Sequence, residues 1–237
     1  MTADANAGRV AVVTGGCGAL GRVVTKAALA RGYKVAIVDH AARVPAEIEA
    51  VLGPNAHAVT GVDLTDEAAA KSAMDAVMSR FGRLDVLVNI AGGFRWIKVE
   101  DSRAEDLAFL FRLNVQTAAN AARGALPYLK ASTSGRIVNV GALAARQAAA
   151  GMGPYAAAKM GVLKLTEALA EELKETSVTV NAVLPSIIDT AQNRADMPKA
   201  DFSRWVAPAD LAAVMLFLAS GEARAITGAL IDVRGRV

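Results

Sequence analysis

The 237-residue chain predicts an α/β fold: one doubly wound domain on a mostly parallel seven-stranded sheet. Three observations carry that expectation. Apolar runs rich in β-branched residues alternate with helical patterns from end to end, as strands buried on both faces require. A glycine-rich turn, "TGGCGALG" (Thr14–Gly21), directly follows the first of these runs. No composition break or Gly/Ser/Pro linker divides the chain, and its length suits one domain, residues 1–237, with a substantial core.

The elements follow in order. "RVAVVTGG" (Arg9–Gly16) reads as a buried strand ending in a glycine turn, and Ala19–Arg31 as the helix after it. "KVAIVD" (Lys34–Asp39) is strand two and "HAVTGVD" (His57–Asp63) strand three, followed by a helix over roughly Glu67–Phe81. "LDVLVNIAG" (Leu84–Gly92) is strand four, and a long helical segment runs from about Ala104 to Leu129. "GRIVNVGA" (Gly135–Ala142) is strand five, and a helix carries Tyr155 onward to about Glu175. "VTVNAVLP" (Val178–Pro185), a helix at Ala209–Ser220 and a last strand, "GALIDV" (Gly228–Val233), complete the pattern. The alanine-rich stretch after strand five could be helix by propensity, but the glycines around it fit a loop equally well.

Composition narrows the function. Hydrophobic residues make up 54% and aromatics 5%, so Ala, Val, Leu and Ile must form most of the core. "LAAVMLFLAS" (Leu211–Ser220) is too short to span a bilayer, and "MTADANAGRV" lacks the basic-then-apolar pattern of a secretory leader. The single cysteine, Cys17, excludes an internal disulfide, and two histidines offer no metal-ligand cluster. The net charge of +3 comes from 26 basic and 23 acidic residues, and the basic ones are scattered rather than aligned along a nucleic-acid track. The expectation is a cytoplasmic protein acting on a small molecule, with no metal, nucleic acid or membrane partner.

Thr14–Gly21 lies where glycines let backbone approach a pyrophosphate at a helix N-terminus. Asp39 closes strand two at about the 20-residue distance a ribose-binding acid keeps from such a turn, where its carboxylate would repel a 2′-phosphate. Cys17, inside the turn, has no neighbouring His or Lys in sequence to activate it and reads as a filler. Further on, Tyr155 and Lys159 are one helical turn apart and share a face. A phenol ionises near pH 10, and an adjacent ammonium favours the phenolate and brings it towards the working range.

Together these residues resemble the short-chain dehydrogenase/reductase family over nearly the whole chain, with a single NAD(P)-binding Rossmann-type domain. The family turn is Thr-Gly-x-x-x-Gly-x-Gly. Thr14, Gly15 and Gly21 match it, Ala19 replaces the middle glycine, and Gly16, Gly18 and Leu20 fill the rest. The resemblance implies that Asp63 and Leu64 hold an adenine ring and that Asn89, Ala91 and Gly92 of "NIAG" border the cofactor. It also implies that Pro185, Ile188 and Thr190 of "LPSIIDT" meet the nicotinamide carboxamide. It makes Tyr155 the proton-transfer group, Lys159 its partner and ribose ligand, and Asn114 the support of a water relay. With Asp39 it implies NAD(H) in preference to NADP(H). It further implies a homodimer or homotetramer through the Ala104–Leu129 and Tyr155–Glu175 helices.

One part is missing. The family's serine falls at Ala142, which has no side-chain donor; losing one such donor typically costs about 3–4 kcal/mol of transition-state stabilisation. Residues 141–205, with "GALAARQAAAGMGPYAAAK" and "LPSIIDTAQNRADMPKADFSRW", are similar to the dihydropteridine reductase branch, where that serine is also absent. This implies a quinonoid dihydropterin substrate, with Phe94 and Trp96 offering a flat face. Separately, the polar-aromatic segment at about residues 187–205 follows strand six, where substrates bind in such sheets, and is expected to form a lid. Two alternatives stay open. One is a general carbonyl/alcohol dehydrogenase like the 3-oxoacyl reductases, with Gln147 or Ser186 in the serine's place. The other is a nucleotide-sensing protein without turnover. A hydrolase is excluded, since neither His40 nor His57 has a Ser-His-Asp context.

Overall fold

The computed structural model describes residues 6–237; residues 1–5, part of the stretch read for a leader, lie outside it. Seven strands form one sheet: β1 (Val10–Thr14), β2 (Lys34–Val38), β3 (Ala56–Val59), β4 (Val86–Asn89), β5 (Arg136–Val140), β6 (Thr179–Pro185) and β7 (Leu230–Val233). Their order is β3-β2-β1-β4-β5-β6-β7, and every neighbouring pair is parallel. The strand order therefore reverses between β1 and β4, which opens a crevice at their carboxyl ends.

Period-two alternation explains the unbroken apolar runs. Val10 and Val12 of β1 face α3 (Glu67–Phe81) and α5 (Thr117–Ala131), where Met74 and Leu129 pack on them. Ala11 and Val13 face α1 (Ala19–Ala30) and α8 (Pro208–Leu218), within the layer of Val24, Leu211 and Met215. Both faces are dry, so neither strand face can be polar. α3 begins and ends where the sequence places it. Asp66 caps its start by accepting from the amides of Ala68 (2.7 Å) and Ala69 (3.1 Å), and Gly82 stops it at φ +74°.

At the opposite edge from the crevice, charge is buried. Asp85, with no exposed surface, accepts from the Val10 amide, both arms of Arg83 and the Ser132 hydroxyl. Arg9 and Arg136 reach the Ala219 and Ser220 carbonyls just beyond α8, the end that attracts cations.

The expected bounds shift in several places. The long helix is three pieces: α4 (Ala104–Phe111), a π-helical turn at Arg112–Gln116, and α5. β3 stops at Val59 rather than Asp63, because the chain turns at Gly61 (φ +70°) and re-bonds to the loop after β2. β4 ends at Asn89 because the Ile90 and Ala91 amides leave the ladder for the Thr14 hydroxyl. α6 spans Gly153–Glu172. The alanine-rich stretch is a loop with one 3₁₀ turn at Leu143–Ala145. A four-residue helix, α2 (Ala46–Glu49), has no counterpart in the sequence reading.

Candidate active site

The crevice between β1 and β4 is a cleft of about 730 Å³. Its floor is the glycine turn, which is open because glycines take the positions where a side chain would collide. Gly15 has φ +65°, and a Cβ there would lie 2.9 Å from the Ala91 amide nitrogen; a Cβ on Gly21 would run into the Gly15 carbonyl. Gly18 caps α1 without a side chain, so the first amides of that helix stay available for an anion. Ala19 is exposed on the cleft wall, so the methyl that departs from the family turn enters open space. Asp39 stands at the far end, with one oxygen on the Cys17 amide and the other on the Ala41 amide, both at 2.9 Å. A glycine cradle, free helix amides and a buried acid in this order fit a dinucleotide.

Burial and the Asp39 carboxylate push the Cys17 thiol up to about 11, so it stays protonated, in agreement with the filler reading. Asp63 also lines the cleft; Thr65 donates both its amide and its hydroxyl to this carboxylate and holds it below the usual carboxylate range. Leu64 is buried behind it. Two residues that sequence reasoning missed fix this wall: Asn120 donates to the Leu64 and Thr65 carbonyls, and Gln116 to the Thr65 carbonyl. Arg43 was missed as well; it is an exposed cation on the same cleft, and a lone arginine in a loop gives no sequence signal.

Several expected cofactor residues spend their polar groups on the scaffold. The Thr14 hydroxyl joins β1 to β4, while Asn89 donates to Asn139, and Asn139 to Thr166 on α6. That buried chain carries the β4 end to the helix holding Tyr155. Thr190 caps α7 (Ala191–Asp196), accepting from the Asn193 amide at 3.2 Å. Ile188 packs partly into the core and bridges to Val206. Pro185 ends β6 against Val233. The Ser186 hydroxyl donates to the Arg234 carbonyl at 2.6 Å, so it is committed to the chain end and does not fill the vacant serine's role.

Tyr155, Lys159 and Asn114 do converge. A Cβ on Gly92, which lines the cleft, would sit 2.6 Å from Asn114 Oδ1 and 3.5 Å from Lys159 Nζ, and Lys159 Nζ in turn lies 6.0 Å from the Tyr155 ring centroid. Asn114 lies in the π-helical turn, a feature common at functional sites. Its Oδ1 accepts from the Gly93 amide (3.2 Å), and its Nδ2 donates to the Gly93 and Leu110 carbonyls (3.0 Å each). Lys159 is buried, and its ammonium donates to the Val140 carbonyl at 2.8 Å.

One expectation needs correction. Lys159 Nζ lies 6.0 Å from the Tyr155 ring centroid, and burial outweighs its attraction. Burial pushes the Tyr155 phenol up to about 12 and the Lys159 ammonium down to about 8. At neutral pH the phenol therefore holds its proton and is poised to give it. No partner for the Tyr155 hydroxyl is found among the described residues. Ala142 is buried at the end of β5 and adds no donor; Gln147 is exposed in the loop beyond.

Above this site, Phe94 touches Tyr155 edge to face, and Trp96 packs on Gly151; the two are 52% and 56% exposed. Between β6 and α8, Arg194 pairs with Asp189 through two contacts (2.6 and 2.7 Å) and lies over the Phe202 ring. Arg204 donates twice to the Arg236 carbonyl, tying this segment to the chain end. The stretch expected to form a lid thus contains a helix and a fastened turn.

A dinucleotide cleft at the switch point of a parallel sheet, ending on a Tyr-Lys pair, defines a nicotinamide-dependent oxidoreductase. The chain belongs to the short-chain dehydrogenase family, whose model, described as short chain dehydrogenase, matches residues 9–201. It is 30% identical over 240 residues to the 3-oxoacyl-[acyl-carrier-protein] reductase FabG of Salmonella typhimurium, covering 96% of each chain. The corresponding Escherichia coli protein is 30% identical over 237 residues, again 96% of each. An uncharacterized short-chain type dehydrogenase/reductase of Sinorhizobium fredii is 32% identical over 244 residues, 96% of each. None of these three is described as a pteridine reductase. Among the described residues no helix is long and apolar enough to cross a membrane, and no group of three or more His, Cys, Asp or Glu residues could hold a metal ion.

Proposed function

We propose that this protein interconverts a carbonyl compound and its alcohol with NAD(H), Tyr155 transferring the proton. The observation that carries this reading is Tyr155 beside Lys159, whose ammonium stands against Gly92 on the cleft wall. A bound nicotinamide dinucleotide supplies or accepts the hydride. The α1 amides would hold its diphosphate, Asp39 its adenosine ribose and Lys159 its nicotinamide ribose. Tyr155 gives its proton to the substrate oxygen in the reducing direction. The Lys159 ammonium offsets the phenolate left behind. Asn114 fixes the Gly93 loop and supports proton return. The resemblance to 3-oxoacyl reductases over 96% of the chain supports the carbonyl reading.

A second reading rests on Ala142. A quinonoid dihydropterin takes hydride and a proton without developing a full alkoxide, so it does not need the serine, and Phe94 and Trp96 offer it flat faces. Turnover with NADH on a panel of 3-oxoacyl thioesters, simple ketones and quinonoid dihydropterin separates the two. Thioester or ketone reduction above pterin reduction supports the first, the reverse order the second. No turnover on any of them, with nucleotide still bound, would leave a nucleotide-sensing protein.

Cofactor choice follows from the β2 end. The Asp39 charge faces a 2′-phosphate, and Arg43 is the opposing cation on the cleft. We expect kcat/KM to favour NADH over NADPH by at least about tenfold, roughly 1.4 kcal/mol. Asp39→Ala should reverse the order, with Arg43 taking the phosphate. Equal use of the two nucleotides by the unmodified enzyme would sink this assignment.

Exposed Leu107 and Phe111 on α4, beside Met160 on α6, support assembly into a homodimer or homotetramer through these helices. Residues 187–205 are proposed as the substrate lid, since they lie beyond the carboxyl end of β6. A cytoplasmic location fits a small-molecule reductase of this composition.

A further inference from the structure

We propose that Phe94 is a positioning residue for Tyr155, holding the phenol at the angle from which its hydroxyl meets the substrate. The inference rests on the proton-donor reading of Tyr155 given above. The two rings meet with centroids 4.9 Å apart and planes at 89°, the edge-to-face arrangement that ring quadrupoles favour. Phe94 is not core packing: it stands half exposed with Trp96 and Val99 in a row of large apolar side chains on one loop.

The loop is fastened on both sides of Phe94. Upstream, Asn114 grips Gly93 through both its amide and its carbonyl, and a Cβ on Gly93 would sit 2.6 Å from Leu113 Cδ2. Downstream, the Ile97 amide donates to the Gly151 carbonyl at 2.8 Å. The ring is therefore presented to Tyr155 by a fixed backbone. Nothing polar does the same work. Position 142 offers only a methyl group, and the Lys159 ammonium, bonded to the Val140 carbonyl, stands 6.0 Å from the phenol ring centroid. In a site without the serine, the steering of the phenol falls to an apolar contact. That contact also keeps water from one side of the ring, in line with the raised phenol pKa.

The test uses the full-length enzyme with the best carbonyl substrate from the panel. Phe94→Ala should lower kcat about three- to tenfold, the scale of one aromatic pair. KM and nucleotide affinity should stay unchanged. Phe94→Tyr should restore most of the loss. Ultraviolet titration of the free enzyme, read against a Tyr155→Phe background, should place the Tyr155 transition near 12 in the parent. In Phe94→Ala it should move towards the ordinary phenol value near 10. Retained melting temperature and nucleotide binding show that the variant is folded. A raised KM with kcat intact would make Phe94 a substrate contact only and overturn the proposal, as would an unmoved kcat and titration. If Tyr155→Phe kept full turnover, the proton-donor reading would fall instead, and the titration would still decide whether the rings are coupled.

Discussion

Tyr155→Phe is expected to lower kcat by about 10²–10⁴-fold, the usual worth of a positioned acid-base group. Nucleotide affinity should hardly move. The phenol contributes a hydroxyl, and removing that one oxygen leaves the ring, its contact with Phe94 and the glycine cradle in place. The loss should be near the upper end of that range for a ketone. With alanine at 142, no second side-chain donor there helps to stabilise the charge developing on the oxygen. The raised phenol pKa adds a direction to the expectation. A group that loses its proton only near pH 12 is fully protonated at neutral pH, so reduction proceeds without waiting for protonation. Oxidation needs the phenolate, and its rate should rise steadily with pH until the nucleotide or the fold gives way. Full turnover in Tyr155→Phe, measured at saturating nucleotide, would remove Tyr155 from the reaction.

The parts of this molecule legible in sequence are those set by local pattern. All seven strands and the glycine turn were readable, because a strand buried on both faces admits no polar residue and a cradle against a strand end admits no Cβ. Asp66 and Gly82 mark the ends of α3 by chemistry that acts over a few residues. Tertiary properties were not legible. The ammonium at Lys159 seemed sufficient to lower the phenol, but burial works on both groups and depends on packing that spacing alone does not carry. Ser186 looked free until β6 and β7 paired and brought the Arg234 carbonyl to it. The π-helical turn at Asn114 arises where a side chain bonds across to Gly93, a contact 21 residues away. α2 is only four residues long and has no periodicity to detect.

Lys159→Met should abolish useful turnover and yet make the protein more stable at neutral pH. The side chain is buried, and its folded pKa of about 8 lies below the 10.5 of an unperturbed lysine. A base whose folded pKa is lowered costs stability wherever it must be charged in the fold. That cost is complete below about pH 8. It shrinks between about 8 and 10.5, where the unfolded chain still binds a proton that the folded chain has released, and it is gone above that. A gap of this size corresponds to a few kcal/mol, on the order of 3, partly offset in the variant by the loss of the bond to the Val140 carbonyl. Methionine fills a similar volume without the charge. The gain for Lys159→Met over the parent, measured by denaturant unfolding, should therefore be largest at pH 6–7 and fade towards pH 10. Tyr155 works in the opposite sense above pH 10, where the folded phenol keeps a proton that the unfolded one loses. A gain that was flat from pH 6 to 10 would mean that the lysine is not strained by burial. The same variant should lose nucleotide affinity and proton transfer together, because under the proposed function one ammonium serves both the ribose and the phenolate.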